Sequence, residues 1–196
     1  MFVHPKARAS AHQFFVSAKT RTAIPTRHSL VREALVQASL DPLVRDIGFV
    51  PSARVAAAQV ALEAVVIVRD DGQFYLDIVP GRPLRDAEAE GLMLSALDEL
   101  RLAPLTITEE DIRRQPRYTN ARTVWHYQST AVGIGMRMRI QRILIDAGPM
   151  RLGDLLMRDW CSDPRPAVMS LACQDLLELN LMTEPLGPQT IVRCRS

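Results

Sequence analysis

Two acids bracket an apolar hairpin signature in the middle of this chain. Glu63 opens a β-branched run over 62–69, Asp77 lies late in a second run over 73–80, and Asp70-Asp71-Gly72 joins them. Asp-Gly between two apolar runs predicts a tight turn, because glycine takes positive φ without steric cost. Carboxylates so placed have two readings. They hold a hard divalent cation such as Mg²⁺, which takes oxygen ligands, or they are two solvated acids at strand ends. A second set of candidates lies in the last third. A helix capped by Asp163 carries Arg165, Met169, Ser170 and Gln174, and Arg151, Arg158, Arg193 and Arg195 lie around it in the sequence. If these arginines converge they make the basic face of a DNA reader. If they do not, the helix serves protein contact, since Asp163, Asp175 and Glu178 repel phosphate.

Other chemistries find little support. The three cysteines (Cys161, Cys173, Cys194) are odd in number and form no C-x-x-C pair, and the four histidines lack ligand spacing. Neither a disulfide framework nor a zinc site is indicated. No apolar run approaches the length of a membrane span, and the N-terminus lacks the continuous apolar core of a secretory signal. A reducing cytoplasm is the expected compartment. Cys173 reads as a small core residue, and Trp125 and Tyr127 as buried aromatics.

The 196 residues suffice for one ordinary domain and a small second one. Their net charge of +2 is unevenly spread. Residues 1–27 hold five cations and no acid, 28–130 hold 11 arginines against 15 acids, and 131–196 hold 8 arginines against 7 acids. The first stretch reads as a basic arm: a phosphate-contacting segment, an organelle transit peptide or a loosely ordered terminus. After Lys19 every Lys/Arg cation is arginine.

The elements that must position these residues follow from periodicity. A helix is expected over 28–39, capped by Ser29 and ended by Asp41-Pro42. A short strand over 47–50 and an irregular or extended passage over 52–61 lead into the hairpin. A helix over 84–102 places Leu84, Ala87, Gly91, Leu94, Leu97 and Leu100–Leu102 on its apolar face, and a strand follows at 105–107. Thr108 caps a short acidic helix, and a further helix covers 118–129. Strand, crossover helix and strand together predict an α/β sheet. Beyond residue 133 come helices over 135–146 and 153–159. A third starts at Pro164 and carries Val168, Leu171, Ala172, Leu176 and Leu179 on one side. Short strands at 181–184 and 190–193 close the chain. Three helices and a hairpin are the order of a winged helix.

Two stretches resemble a known family. Nucleases of the PD-(D/E)XK kind place acidic metal ligands as Glu63 and Asp77 are placed here. The run Leu105-Thr106-Ile107-Thr108-Glu109-Glu110-Asp111-Ile112-Arg113, with Asn120 beyond it, resembles the passage after the nuclease core in TnsA-like transposon endonucleases. The likeness covers roughly residues 28–196. It implies a restriction-endonuclease-like core with a C-terminal winged-helix domain, and an acid in the first helix, at Glu33 or displaced by Arg32. The family's Pro-Asp corresponds to Leu62-Glu63, and its Glu-x-Lys-Pro to Asp77-Ile78-Val79-Pro80. Val79 thus stands where the family has lysine. In such sites carboxylate-held Mg²⁺ activates water and offsets the charge that develops on phosphorus. The lysine orients that water and adds positive charge. Valine does neither. Only Arg82, Arg85 or the arm is available to compensate, and arginine supplies charge without base chemistry.

The expected architecture is therefore α/β: a basic arm (1–27), a nuclease-like domain with a small mixed sheet flanked by helices (28–130), and a winged-helix domain (131–196). The expected function is DNA-associated, with catalysis weakened or lost, as an accessory or regulator in a mobile-element, defence or plasmid-linked system. The alternatives are an active Mg²⁺-dependent endonuclease using Glu33, Glu63 and Asp77, with Glu63 and Asp77 on the metal, and a protein-interaction scaffold. DNA is the expected partner, a protein partner is possible, and no membrane is involved.

Overall fold

The hairpin signature folds as the centre of a four-stranded sheet. The computed structural model describes residues 13–55, 58–82 and 85–195. Strand β3 (Val44–Val55) pairs antiparallel with β4 (Ala58–Arg69), which turns at Asp71-Gly72 into β5 (Gly72–Ile78). Gly72 sits at φ +148°, a backbone conformation that side chains oppose. Helix α2 (Ala87–Glu99) crosses over, and β6 (Ala103–Ile107) pairs parallel with β5. The sheet order is β3-β4-β5-β6, a mixed α/β arrangement.

The sheet forks. β3 and β4 pair along their whole length, from Val44↔Arg69 to Val55↔Ala58. β4 and β5 pair only from Arg69↔Gly72 to Val66↔Tyr75. Beyond that point β5 continues against β6 alone, and β4 runs on with β3. Pro51 lies inside β3 at a register shift between Val50 and Ser52, where a residue without an N–H can be accommodated. Of the 52–61 passage, residues 52–55 and 58–61 are strand, the extended form of the two expected. Pairing with a neighbour overrides the helix preference of its alanines.

Two apolar layers cover the sheet, as the period of 2 along a strand requires. On one face Val60, Leu62, Ala64 and Val66 pack with Met93, Ala96, Leu97 and Leu102. Met93, Ala96 and Leu97 are thus the buried face of α2, while Leu94 is exposed, which corrects the expected stripe. Leu84 lies outside the described residues. On the other face α1 (Ser29–Leu40) buries Leu30, Ala34, Leu35 and Ala38 against Ile47, Ile67 and Leu76. The cap of α1 is His28, whose Nδ1 accepts from the Leu30 N–H at 3.2 Å, rather than Ser29.

The reading of 1–27 as an arm fails over its described part. β1 (Gln13–Phe15) and β2 (Ile24–Thr26) form a hairpin that buries Phe15 and Ile24 fully. Each such side chain is worth about 2–3 kcal/mol of transfer free energy. Residues 1–12 lie outside the described residues. Lys19 is also buried, donating to the Asp41 carbonyl at 2.7 Å and pairing with Asp175 at 3.3 Å.

After α3 (Glu109–Arg113) and α4 (Arg117–Trp125) the chain forms α5 (Ile134–Ala147), β7 (Met150–Arg151), α6 (Leu152–Leu156), α7 (Arg165–Cys173), β8 (Leu177–Leu179) and β9 (Ile191–Cys194). The last three strands make a sheet of order β7-β9-β8. Helix α7 is shorter than expected, because Asp175 takes φ +58° and turns the chain. The strand before the final loop is 177–179, not 181–184. The apolar layer under α1 runs on without a break into Ile140, Leu155, Val168 and Val192. Trp125 and Cys173 are buried in it, as the sequence predicts, whereas Tyr127 is only half-buried. No helix among the described residues is long and apolar enough to cross a membrane.

Candidate functional site

The fork in the sheet is where the two hairpin acids lie, and each is held by its own arginine. Glu63 is in the half of β4 that has left β5, at φ +48°. Arg27, just after β2, grips it in two-pronged fashion, Nη1 to Oε2 at 2.8 Å and Nη2 to Oε1 at 2.7 Å. Asp77 is near the end of β5 and is 6% exposed. Arg82 Nε donates to its Oδ1 at 2.7 Å, a second guanidinium nitrogen donates to Oδ2, and the Thr106 hydroxyl donates to Oδ2 at 2.9 Å. Thr106 is placed there by the parallel register that sets it opposite Asp77. Arg82 and the Thr106 hydroxyl hold the Asp77 carboxyl below the usual range, although burial pushes it up. Arg85 closes the open edge of β4, donating to the Leu62 carbonyl at 3.3 Å.

The acids do not share one site. Glu63 lines a cleft of about 240 Å³ on the α1 side, with Arg27, His28 and Leu76. Asp77 lines another of about 440 Å³ on the α2 side, with Arg85, Glu90 and Met93. Arg82 and Tyr75 border both. Glu33 lies on α1 beside a third cleft and pairs with Arg113 at 3.2 Å. No group of three or more His, Cys, Asp or Glu among the described residues is placed to hold a metal ion. The trio Glu33, Glu63 and Asp77 is therefore not brought together, and the expected metal pair Glu63 and Asp77 opens onto different clefts. Val79 stands in a one-turn 3-10 helix (Val79–Gly81) with its side chain exposed.

Arg82 and the stretch that holds Arg27 are legible in the sequence as substitute cations, but which acid each grips is not, and Thr106 is not legible at all. Nothing in the pattern announces that β1 and β2 carry Arg27 to the fork. Thr106 needed the register of a parallel pair joined through a helix.

The C-terminal candidates divide. Arg151, Arg158, Arg165 and Gln174 are exposed. Ser170 is fully buried, donating to the Thr130 carbonyl at 2.7 Å and accepting from Gln174 Nε2 at 3.1 Å. Met169 is buried too, as is every residue of α7 from Ala167 to Cys173. A helix apolar all round is an interior helix, so Ser170 and Met169 do not read DNA. Arg195 is likewise inside. Its Nη1 donates to the Pro42 carbonyl at 2.6 Å and to Glu178 at 2.8 Å, and its Nη2 to the Val44 carbonyl at 3.1 Å. Arg193 pairs with the other oxygen of the buried Glu178 carboxylate.

No protein-family model and no curated protein matches the chain. The class that fold and site define is a mixed α/β protein whose forked sheet carries two arginine-neutralised carboxylates.

Proposed function

We propose that this chain is a nuclease-fold protein that has exchanged metal-dependent catalysis for binding, and that it acts on DNA or on a DNA-bound partner. The observation that carries the reading is the pair of arginine–carboxylate forks. A carboxylate whose two oxygens both accept from one guanidinium has its charge offset and its lone pairs engaged, so Mg²⁺ must displace that arginine to bind. With Val79 in place of lysine, the position lacks the ammonium that would orient water. The order β3-β4-β5-α2-β6 supports a restriction-endonuclease-like core, and α5, α6 and α7 with the β7-β9-β8 sheet support a winged helix. Because α7 is interior from Ala167 to Cys173, the DNA-facing cations in this reading are Arg151, Arg158 and Arg165, the last at the exposed start of α7.

A protein partner is supported by a separate observation. Ile134, Met138 and Ile145 project from α5 into solvent, which favours the interaction-scaffold reading.

Duplex DNA titrated with the full chain at several salt concentrations tests the proposal. The expected result is saturable binding that weakens steeply as salt rises, with no cutting in Mg²⁺ or Mn²⁺. Cutting that Asp77→Ala abolishes would refute the loss of catalysis. Absence of salt-dependent binding leaves the scaffold reading.

A further inference from the structure

The acids at the sheet fork are satisfied within the chain, whereas the donors around the cleft between α1 and α4 are not. This cleft encloses about 450 Å³, the size of a small-molecule site. Val36, Ala121 and Trp125 supply its apolar floor. Arg32, Arg122, His126, Gln128 and Ser129 stand around it. None of these five side chains has a hydrogen bond or ion pair with another described residue. The two guanidiniums are instead steadied by aromatic faces. Arg32 lies 5.9 Å from the centroid of Phe15, and Arg122 5.3 Å from that of Tyr118. Their N–H groups are thereby oriented and remain uncommitted. Glu33 is the acid on the wall, and its pairing with Arg113 offsets its charge.

We propose that the α1–α4 cleft binds a small phosphate-bearing molecule, with the phosphate between Arg32 and Arg122 and the rest of the ligand on the Val36–Trp125 floor. A carboxylate offers two oxygens. Two guanidiniums, an imidazole, an amide and a hydroxyl offer more donors than two oxygens can use, and a phosphate monoester presents three. The apolar floor gives the ester's organic part a surface to cover. The proposal is independent of the fork and of the DNA reading, since neither uses these residues.

Isothermal titration of the full chain with adenosine monophosphate, adenosine and inorganic phosphate tests it. Saturable one-site binding of the nucleotide without binding of adenosine is expected. Arg32→Gln and Arg122→Gln each weaken binding by about tenfold or more, the size of one lost charge-assisted hydrogen bond, with the thermal unfolding midpoint unchanged. Arg165→Gln leaves nucleotide binding as it was, and Arg122→Gln leaves duplex affinity as it was. Inorganic phosphate that binds as tightly as the nucleotide assigns the cleft to free phosphate, and tighter nucleotide binding assigns it to an ester. The proposal is overturned if neither phosphate compound binds at millimolar concentration, if binding survives both substitutions, or if duplex DNA displaces the nucleotide.

Discussion

Replacing Arg195 with alanine separates a structural clasp from a DNA contact. The side chain is 14% exposed and ties three parts of the molecule together. It reaches the carbonyls of Pro42 and Val44 between α1 and β3, the buried Glu178 of β8, and Asp175 at 3.5 Å. Breaking a buried ion pair by removing one partner costs about 3–5 kcal/mol, because the other charge is left without its counter-ion. Here Glu178 keeps Arg193 and Asp175 keeps Lys19, which sets the cost at the lower end, about 3 kcal/mol. That is a large share of the ~5–15 kcal/mol that holds a domain folded. Urea unfolding followed by far-ultraviolet circular dichroism and by the fluorescence of Trp125 and Trp160 measures it. A shift of midpoint at constant slope is expected, with duplex affinity of the folded protein unaltered. A loss below about 1 kcal/mol, the range of an exposed pair, would refute the clasp. So would a tenfold loss of DNA affinity in a protein that stays fully folded.

Four further outcomes are expected. Asp77 has a carboxyl pKa lowered by Arg82 and Thr106 in the folded state, so its contribution is present above the unfolded value of about 4 and is lost as pH falls through the lower folded value. Urea midpoints measured on acidification should therefore fall more steeply below about pH 4 for the wild type than for Asp77→Asn. Gly153→Ala would set a Cβ 3.0 Å from Pro188 Cβ and 3.1 Å from its carbonyl oxygen, and overpacking of that kind should cost about 1–3 kcal/mol, seen as a lower Tm. Thiol labelling of the native protein should modify the exposed Cys161 quickly and spare Cys173, whose pKa burial pushes up to about 12. Equal rates at the two would contradict the packing of α7. Lys19→Met should destabilise less than Arg195→Ala, by about 1–2 kcal/mol, because the methionine fills the same space and Asp175 retains Arg195. A larger loss in the same urea assay would mean that Asp175 depends on the ammonium.

Strong local signals in this chain survive folding, and weak ones yield to tertiary pairing. The Asp71-Gly72 turn and the Thr108 cap with its reciprocal Asp111 bond are each written within a few residues, and each forms; the strand–helix–strand crossover forms too, from periodicity over a longer stretch. The 52–61 passage is different. Its alanines favour helix, and a partner strand makes residues 52–55 and 58–61 β. Residues 13–27 show the same limit. Phe15 and Ile24 are too few to set a period, so the hairpin they anchor has no sequence signature, yet it supplies two buried side chains and a buried ammonium. Helix α7 shows a related limit. Its spacing shows one apolar side, while burial of Met169 and Ser170 on the remaining side depends on α4 and on the Thr130 carbonyl.

At the fork, spacing places the two acids, but charge balance is read only in three dimensions. The bias toward arginine now has a structural meaning. An ammonium is a compact point charge that leaves part of a carboxylate open, while a guanidinium matches both oxygens in a plane. Arg27 on Glu63 and Arg82 on Asp77 use that match, so each acid is locked into a pair. The two arginines arrive from different directions, one from the N-terminal hairpin and one from the turn after β5. Removing either leaves the other pair intact. Under the proposed nuclease reading, building a metal site here requires freeing both carboxylates from their arginines and placing a lysine at Val79. Even then Glu63 and Asp77 open onto different clefts. A variant carrying Arg27→Ala, Arg82→Ala and Val79→Lys should accordingly bind no Mn²⁺ in a calorimetric titration. Stoichiometric Mn²⁺ binding by that variant would show that the arginines alone hold the carboxylates apart.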